Sequence, residues 1–393
     1  MIIKNARIYT PEHTFKTGDL TIRDGRIAFG APPLEGEEVL DANGAYALPG
    51  LVDIHFHGAV GHDFCDADEA GLQAIADFEA SKGVLAICPA TMTFSEEILN
   101  GIMDVAAAHK NGQGADLVGI NMEGPYISPK KIGAQNPKYV QGADAAMFRR
   151  LQARSGGLIK LVDVAPEEPG NLDFIRDCHN EVCISIAHTC TDYDTAKAAF
   201  AAGASHMTHL YNAMPGIHHR KPGPIGAGSE RENVVAELIC DGQHIHPSAV
   251  RMAFRLFPGR ICLVSDALRC CGMPNGQYTL GGQDVFLYGG VAKLADGTLA
   301  GSATNLYDCM RKAVEFGIPK EQAILSATLI PARELGCENE IGSIAPGKRA
   351  DFVVCDEEVN RKTVSLCGKP LKNSVAENNK GRNLNTEIQR GGI

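Results

Sequence analysis

The amino-acid sequence predicts an α/β protein, a (β/α)8 TIM barrel carrying a small β-sandwich domain formed from the N- and C-terminal segments. Apolar runs of strand length alternate with helix-length segments whose apolar residues recur every three or four positions, as in parallel α/β structure. Eight runs occur, which is the number of strands in a closed barrel. They are LVDIHFH (51–57), VLAICPA (84–90), LVGINME (117–123), IKLVDVAPE (159–167), VCISIAH (182–188), SHMTHL (205–210), VVAELICDG (234–242) and ICLVSDA (261–267).

Short strands and turns at the two ends of the chain predict the second domain. The first fifty residues contain Asp24-Gly25 and Asn43-Gly44 at hairpin positions, and a related pattern returns near the C-terminus. The expected organisation is a sandwich from 1–49 and 345–371, a metal-dependent hydrolase barrel at 50–344, and a polar, disordered tail at 372–393. The Gly-rich segment 273–298 predicts an inserted hairpin at the barrel mouth, and Ser95 a helix N-cap.

Composition excludes several classes of protein. The formal charge of −10 argues against binding to the phosphate backbone of nucleic acid, and no apolar run is long enough to span a membrane. Thirteen cysteines without a C-x-x-C spacing predict reduced thiols and a cytoplasmic protein, although the role of Cys270 and Cys271 stays open.

Metal-capable or proton-transferring side chains stand at the ends of five of the eight runs. Because strand ends of a parallel barrel meet on one face, these side chains are expected to converge. The two histidines of a His-x-His pair on a strand point to the same side. The residues concerned are His55, His57, Glu123, His188, His209 and Asp266.

Imidazoles and a carboxylate suit Zn, Fe, Mn or Co, and three protein ligands with an open position describe a hydrolytic site. Such a metal lowers the pKa of bound water from about 15.7 to about 7. Asp266 is then expected to take the proton from the water and pass it to the leaving nitrogen.

The chain resembles the N-acetylglucosamine-6-phosphate deacetylase family of the amidohydrolase superfamily. The resemblance runs from residue 1 to about 368 and rests on whole phrases. These are PGLVDIHFHG (49–58), NMEGPYISPKKIGAQNP (121–137), the APE at 165–167, IAHT around His188, THLYNAMPGIHHRKPGPIGA (208–227), ICDGQHIHP (239–247), LVSDA (263–267) and GTLAGS (297–302).

The resemblance implies roles for these residues. Glu123, His188 and His209 are implied as ligands of the principal metal, and Asp266 as the catalytic aspartate. His55 and His57 match family members that hold a second metal, so one or two metals per subunit are expected. The resemblance also implies a homodimer.

Substrate contacts are implied as well. Arg220 and His244 match the family's phosphate contacts, with Arg220 reaching into the neighbouring subunit's site, and the backbone at Asn212 and Ala213 lies beside the ligand. A guanidinium and an imidazole suit a dianion, which explains how an acidic protein can bind one locally.

One position departs from the family pattern. Many members read Gly-Ala-His-Asn-Pro, in which the histidine polarises the scissile carbonyl, whereas this chain has Gln135 there. Glutamine donates a neutral hydrogen bond and cannot become cationic, so weaker oxyanion stabilisation is expected. Our hypothesis is that a second metal on His55 and His57 compensates.

The predicted reaction is hydrolysis of the acetamide of N-acetylglucosamine 6-phosphate to glucosamine 6-phosphate and acetate. One alternative is the same chemistry on N-acetylgalactosamine 6-phosphate or on another phosphorylated N-acyl sugar. A second is a different amidohydrolase reaction, such as hydrolysis of a cyclic amide or an N-acyl amino acid, against which Arg220 and His244 argue. A third is a non-enzymatic sugar-phosphate regulator on an inactive barrel. The intact set of metal-capable residues and Asp266 argues against the regulator.

Overall fold

A computed structural model of the chain describes residues 1–32 and 34–371. The strands are β1 (Ile2–Tyr9), β2 (Phe15–Arg23), β3 (Arg26–Ile27), β4 (Val39–Asp41), β5 (Tyr46–Pro49), β6 (Leu51–Asp53), β7 (Gly58–Ala59), β8 (His62–Asp63), β9 (Val84–Ile87), β10 (Asp116–Leu117), β11 (Ile120–Met122), β12 (Ile159–Val164), β13 (Cys183–Ile186), β14 (His206–Met207), β15 (Val235–Ile239), β16 (Ile261–Val264), β17 (Gly276–Leu280), β18 (Gln283–Tyr288), β19 (Val291–Leu294), β20 (Phe352–Cys355), β21 (Arg361–Leu366) and β22 (Lys369–Pro370).

The helices follow the strands in the order that a (β/α)8 barrel requires. They are α1 (Glu69–Ser81), α2 (Glu96–Ala108), α3 (Ala145–Arg154), α4 (Asn171–Cys178), α5 (Tyr193–Ala202), α6 (Gly223–Ser229), α7 (Pro247–Leu256), α8 (Leu306–Glu315), α9 (Lys320–Ala327) and α10 (Leu329–Glu334), with 3-10 turns at Phe64–Asp66, Pro129–Lys131 and Pro137–Tyr139.

The parallel strands of the barrel correspond to the eight apolar runs of the sequence. Strands β11 to β16 form one parallel sheet in chain order, and β6, β9 and β10 form another. A parallel bridge between Ala90 and Asn121 joins the two sheets on one side. On the other side the backbone N–H of Asp266 donates to the carbonyl of His55 at 2.9 Å, and that of His57 to the carbonyl of Ala267 at 2.7 Å. The predicted barrel is therefore confirmed.

Each helix covers the barrel with one apolar face, as α2 shows. Ser95 precedes it in an extended conformation, as the sequence predicts, although its side chain makes no capping hydrogen bond. Its buried residues recur every three or four positions, so they lie on one face and pack into the main core. They are Leu99, Ile102, Met103 and Ala106.

The two ends of the chain meet in one sheet, in the order β22-β21-β20-β5-β1-β2-β3. Strand β20 pairs with β5 in antiparallel fashion, so the C-terminal segment is hydrogen-bonded to the N-terminal one just before the barrel begins. The exact domain boundaries stay a prediction, and the tail 372–393 lies outside the described residues.

The hairpin predicted at Asn43-Gly44 is wrong. Strands β4 and β5, on either side of it, both pair in parallel with β1. The turn closes locally, since the N–H of Ala45 donates to the carbonyl of Ala42 at 2.9 Å. Both Asn43 and Gly44 have positive φ angles, so the turn chemistry was recognised correctly. The chain resumes its original direction because β1 offers successive pairing positions to both strands.

The inserted segment after β16 forms three antiparallel strands, β17 to β19, at the carboxyl-end face of the barrel. Residues of this insertion and of the turn after it line the cavity described below. Within residues 1–32 and 34–371, no helix combines the length and apolar character that crossing a membrane requires.

Candidate active site

The predicted strand-end side chains come together in one buried cluster at the carboxyl ends of the barrel strands. Three of them, His188, His209 and Asp266, have left-handed backbone angles, with φ of 41°, 30° and 49°. This conformation costs a non-glycine residue about 1 to 3 kcal/mol and is retained where the surrounding structure enforces it, commonly at functional sites. The left-handed backbone turns each side chain from its strand end into the barrel mouth.

The carboxylate of Glu123 lies at the centre of the cluster. Its Oε1 is 3.0 Å from Nε2 of His188 and 3.3 Å from Nε2 of His209. The same oxygen lies 3.5 Å from Nε2 of His55. The other oxygen, Oε2, is 3.3 Å from Nε2 of His57. Four imidazoles therefore present the same ring atom to one carboxylate.

Hydrogen bonds on the far side of two rings decide which ring nitrogen carries the proton. Nδ1 of His188 lies 2.8 Å from the carbonyl of Lys131, and Nδ1 of His55 lies 2.8 Å from Oε2 of Glu237. Both partners only accept, so each Nδ1 must be the donor, and in the neutral ring Nε2 carries a lone pair. Two lone pairs thus point at Glu123, an arrangement that needs a cation or added protons between them.

A metal ion fits this donor set. The ligand atoms of His55, Glu123 and His209 lie within 4.8 Å of one another, and so do those of His55, His57 and Asp266. Nε2 of His55 is buried and without a hydrogen-bond partner among the described residues. Lone-pair nitrogen and carboxylate oxygen are the donors that Zn, Fe, Mn and Co accept. The two groups share His55, so the cluster could hold a metal ion.

The electrostatics show the same demand for positive charge. Burial alone would raise the pKa of Glu123, but the charge of His55 and hydrogen bonds from the facing imidazoles hold that pKa well below its usual range. Burial would likewise lower the pKa of His57, yet hydrogen bonds with Asp266 and Glu123 raise it to about 10. The carboxylates stay ionised only if protons or metal ions supply the compensating charge.

A cavity of about 440 Å³ opens over the cluster. It is large enough for a small organic ligand. His57, Glu123, His188, His209 and Asp266 lie on its wall with Gln135, Asn212, Ala213 and His244.

His244 and Arg220 occupy different positions relative to this cavity. His244 faces it, and its Nδ1 lies 2.8 Å from Oδ2 of Asp241. Burial alone would lower the pKa of His244, but the hydrogen bond and charge of Asp241 raise it, favouring an imidazolium. Arg220 lies in an exposed turn, and its Nη1 is 2.6 Å from Nε2 of His219. Arg220 is not among the residues that line the cavity of its own chain.

The amide of Gln135 is held at both ends. The backbone N–H of Thr93 donates to its Oε1 at 2.7 Å, so the amide nitrogen faces Glu123 and donates to Oε2 at 2.6 Å. The sequence indicated that Gln135 is neutral but did not show that it would bind the central carboxylate.

Several residues of the site carry no signal in the motifs. Glu237 stands in the apolar run VVAELIC, and a charged residue at an inward position of a barrel strand is the pattern that could have revealed it. The cavity wall also includes residues that were not predicted as site residues. Met92, Leu280 and Asp296 lie outside the quoted phrases, whereas the others lie within them; these are Lys130, Lys131, Ile132, Gly133, Ala134, Ile239, Thr298, Leu299 and Gly301.

Comparisons with known proteins agree with this geometry. The sequence profile of the amidohydrolase family matches residues 46–391. The chain is 37% identical to the N-acetylglucosamine-6-phosphate deacetylase of Bacillus subtilis over 91% of this chain and 93% of that protein. It is 35% identical to the N-acetylgalactosamine-6-phosphate deacetylase of Escherichia coli O157:H7 over 94% and 98%.

Solved structures show the same similarity. The N-acetyl-D-glucosamine-6-phosphate deacetylase of Mycobacterium smegmatis, solved as a mutant in complex with N-acetyl-D-glucosamine-6-phosphate, superposes with a TM-score of 0.87 at 31% identity. That comparison covers 96% of this chain and 99% of the other. The N-acetylglucosamine-6-phosphate deacetylase of Thermotoga maritima gives a TM-score of 0.82 at 28% identity, with coverage of 94% and 99%.

Substituting Glu123 should remove metal binding. The Glu123→Gln variant loses the charge that compensates a cation at the centre of the cluster, so we expect metal content after dialysis against Zn²⁺ to fall to less than half of the wild-type value. Glu79→Gln is the matched control, because Glu79 is also buried but belongs to none of the metal-capable groups among the described residues. Elemental analysis measures both variants, and unchanged metal in Glu123→Gln would contradict the assignment.

Proposed function

The chain belongs to the amidohydrolase family, and from that premise we propose that it hydrolyses the acetamide of N-acetylglucosamine 6-phosphate to glucosamine 6-phosphate and acetate. It is a deacetylase of that family, with relatives at 32–37% identity over most of the chain that are named N-acetylglucosamine-6-phosphate deacetylases. The observation that carries the proposal is the position of Glu123, faced by imidazole nitrogens and Asp266 at the floor of a cavity of ligand size.

Five residues are proposed to hold one or two divalent metals of the Zn, Fe, Mn or Co class. Glu123, His188 and His209 hold the principal ion, and His55 and His57 the second. A bound metal of this kind polarises the acetamide carbonyl and lowers the pKa of a coordinated water.

Asp266 moves the proton in this reaction. Its Oδ1 lies 3.4 Å from Nε2 of His57, at the edge of the cavity where the acetamide must lie. A carboxylate there takes the proton from the attacking water, carries it on Oδ1, and gives it to the amide nitrogen as the C–N bond breaks. Glucosamine 6-phosphate then leaves with its amine, and acetate leaves with the new C–O bond.

Gln135 is proposed to replace a cationic donor with a neutral one. The amide donates one hydrogen bond to Oε2 of Glu123, and the residue lines the cavity. A neutral donor stabilises a developing oxyanion less than an imidazolium does. The second cation position on His55 and His57 supports the hypothesis that another positive charge compensates.

The phosphate is proposed to lie against His244, beside the backbone at Asn212 and Ala213. The imidazolium favoured at His244 supplies one charge. Arg220, exposed and outside its own cavity, supplies another to the neighbouring site of a homodimer. The interaction of a guanidinium with a dianion adds charge-assisted hydrogen bonds.

A second candidate substrate is N-acetylgalactosamine 6-phosphate. The Escherichia coli O157:H7 relative with that activity in its name is 35% identical over 94% of this chain, nearly the figure for the Bacillus subtilis relative. The two sugars differ in one hydroxyl, so the same metal and phosphate contacts serve both. The enzyme is also proposed to be cytoplasmic, because all thirteen cysteines are free.

Acetate release from three compounds tests the substrate. We expect N-acetylglucosamine 6-phosphate to exceed unphosphorylated N-acetylglucosamine by about 10² to 10⁴ in kcat/KM, since two charge-assisted hydrogen bonds are lost without the phosphate. N-acetylgalactosamine 6-phosphate is the third compound, and a higher kcat/KM for it would assign the galacto reaction instead. Metal-loaded protein inert on all three would refute the proposed function.

Replacing Asp266 should separate metal binding from turnover. Asp266→Asn keeps an oxygen of the same size but cannot hold the proton, so we expect kcat to fall about 10² to 10⁴ while metal remains on Glu123, His188 and His209. Steady-state kinetics and elemental analysis measure the two effects. Asp296→Asn is the control, because this aspartate also lines the cavity but is exposed and belongs to none of the metal-capable groups among the described residues. A near-normal kcat in Asp266→Asn would contradict the role of Asp266 in proton transfer.

Substrate affinity should depend on pH through His244. Its pKa is raised, so the imidazolium persists above the usual histidine range and is lost as pH rises through the raised value. We expect KM for the phosphorylated substrate to increase at that pH, with the scan started at pH 7, where the phosphate is already largely dianionic. Asp241→Asn removes the charge that raises this pKa and should shift the increase to lower pH. The KM of unphosphorylated substrate is the control, and an equal shift there would contradict the role.

A further inference from the structure

Three ionisable side chains, two of them fully buried, lie below the cluster and take no part in the proposed reaction. His206 is the first residue of β14 and Glu237 lies within β15, both with no exposed surface. Glu334 ends α10 at the opposite, strand-start end of the barrel, with its side chain 16% exposed. Burying ionisable groups is costly unless they are paired, so their contacts require an explanation.

These side chains form a continuous chain of hydrogen bonds that ends on a predicted metal ligand. Nδ1 of His206 is 2.7 Å from Oε2 of Glu334, and its Nε2 is 3.2 Å from Oε1 of Glu237. The other oxygen of Glu237 accepts from Nδ1 of His55 at 2.8 Å. That oxygen also accepts the backbone N–H of His209 at 3.1 Å.

The same region has a second possible interpretation, a separate metal site. Ligand atoms of Cys183, His206 and Glu334 lie within 4.8 Å of one another. However, both nitrogens of His206 are occupied by carboxylates, so neither has a lone pair to give while these bonds persist. Burial also raises the pKa of the Cys183 thiol well above its usual value, which disfavours the thiolate that a metal needs. The contacts therefore favour a hydrogen-bonded relay.

The relay has a specific consequence for His55. An imidazole can carry its proton on either nitrogen, and only the form protonated on Nδ1 offers the Nε2 lone pair to the site. Glu237 selects that form by accepting from Nδ1. His206 in turn fixes the orientation of Glu237 by contacting its other oxygen, Oε1. Glu334 fixes the orientation of the His206 ring. The bare Nε2 of His55 is buried and has no hydrogen-bond partner in residues 1–32 and 34–371.

We propose that Glu334, His206 and Glu237 are positioning residues that hold the His55 ring with Nε2 toward the cluster and so determine the affinity of the second cation position. This inference rests on the proposed function, because it presumes that His55 and His57 bind a metal. Partners of this kind typically change metal affinity by about 10- to 100-fold.

Metal affinity rather than turnover tests the relay. We would titrate metal-free wild type and His206→Phe with Zn²⁺ against a chromophoric chelator and resolve the two successive equivalents. Phenylalanine fills the space of the imidazole without its two donors, so we expect the weaker equivalent to lose about 10- to 100-fold in affinity and the tighter one to change little. His206→Gln, whose amide can still donate to Glu237, should recover part of the loss.

His109→Phe is the matched control. Nδ1 of this buried histidine lies 3.0 Å from Oε1 of Glu69, a contact of the same type that lies between helices, away from the site. Both equivalents should bind it as they bind the wild type. If circular dichroism shows that His206→Phe does not fold, Glu334→Gln provides the same comparison, because Glu334 lies at the partly exposed end of the relay.

The outcomes distinguish the two proposals. A folded His206→Phe, or in its absence Glu334→Gln, that binds both equivalents with wild-type affinity overturns the relay, as does a wild type that binds a single equivalent. Wild-type protein that binds no metal and releases no acetate refutes the proposed function itself. Selective loss of the weaker equivalent, with a normal control, supports the relay.

Discussion

The structure depends on one electrostatic constraint, the burial of the Glu123 carboxylate among four imidazole edges. A buried carboxylate without compensation costs several kcal/mol, so positive charge must be supplied by protons on the imidazoles or by a metal ion. The barrel makes this possible because its strands fix where each side chain begins. The left-handed backbone at His188, His209 and Asp266 is strain that the packed strands hold in place, and it aims these side chains inward.

Two carboxylates in the barrel interior show what happens where hydroxyl groups rather than imidazole rings make the contacts. Asp163 and Asp53 also point inward from their strands, and burial raises their pKa values to about 8 and about 7. A hydroxyl group donates to each of them, that of Thr208 to Oδ1 of Asp163 at 2.7 Å and that of Ser265 to Oδ2 of Asp53 at 2.5 Å. Glu237 differs because imidazoles contact both of its oxygens. Proximity to histidine thus distinguishes the carboxylates that remain ionised from those that tend toward the neutral acid.

The sequence predicts the barrel and most of the cluster for a physical reason. Strand ends of a parallel barrel converge whatever their separation along the chain, so His55 and Asp266 could be placed together although 211 positions apart. The Asn43-Gly44 turn was misjudged because a turn dipeptide fixes local φ angles but not the partner of the next strand. His206 and Glu237 were missed because their role lies in a hydrogen-bond partner across the barrel, which no spacing encodes.

The geometry also explains why a neutral residue suits position 135. The two oxygens of Glu123 face different rings: Oε1 faces His188 and His209, and Oε2 faces His57. Gln135 donates to Oε2 at 2.6 Å, on the side of the His57 ring. An imidazolium at this position would place a positive charge beside the second cation position proposed on His55 and His57 and would weaken cation binding there by repulsion, whereas an amide orients the carboxylate and leaves its charge available. The glutamine and the His-x-His pair are therefore compatible parts of one arrangement.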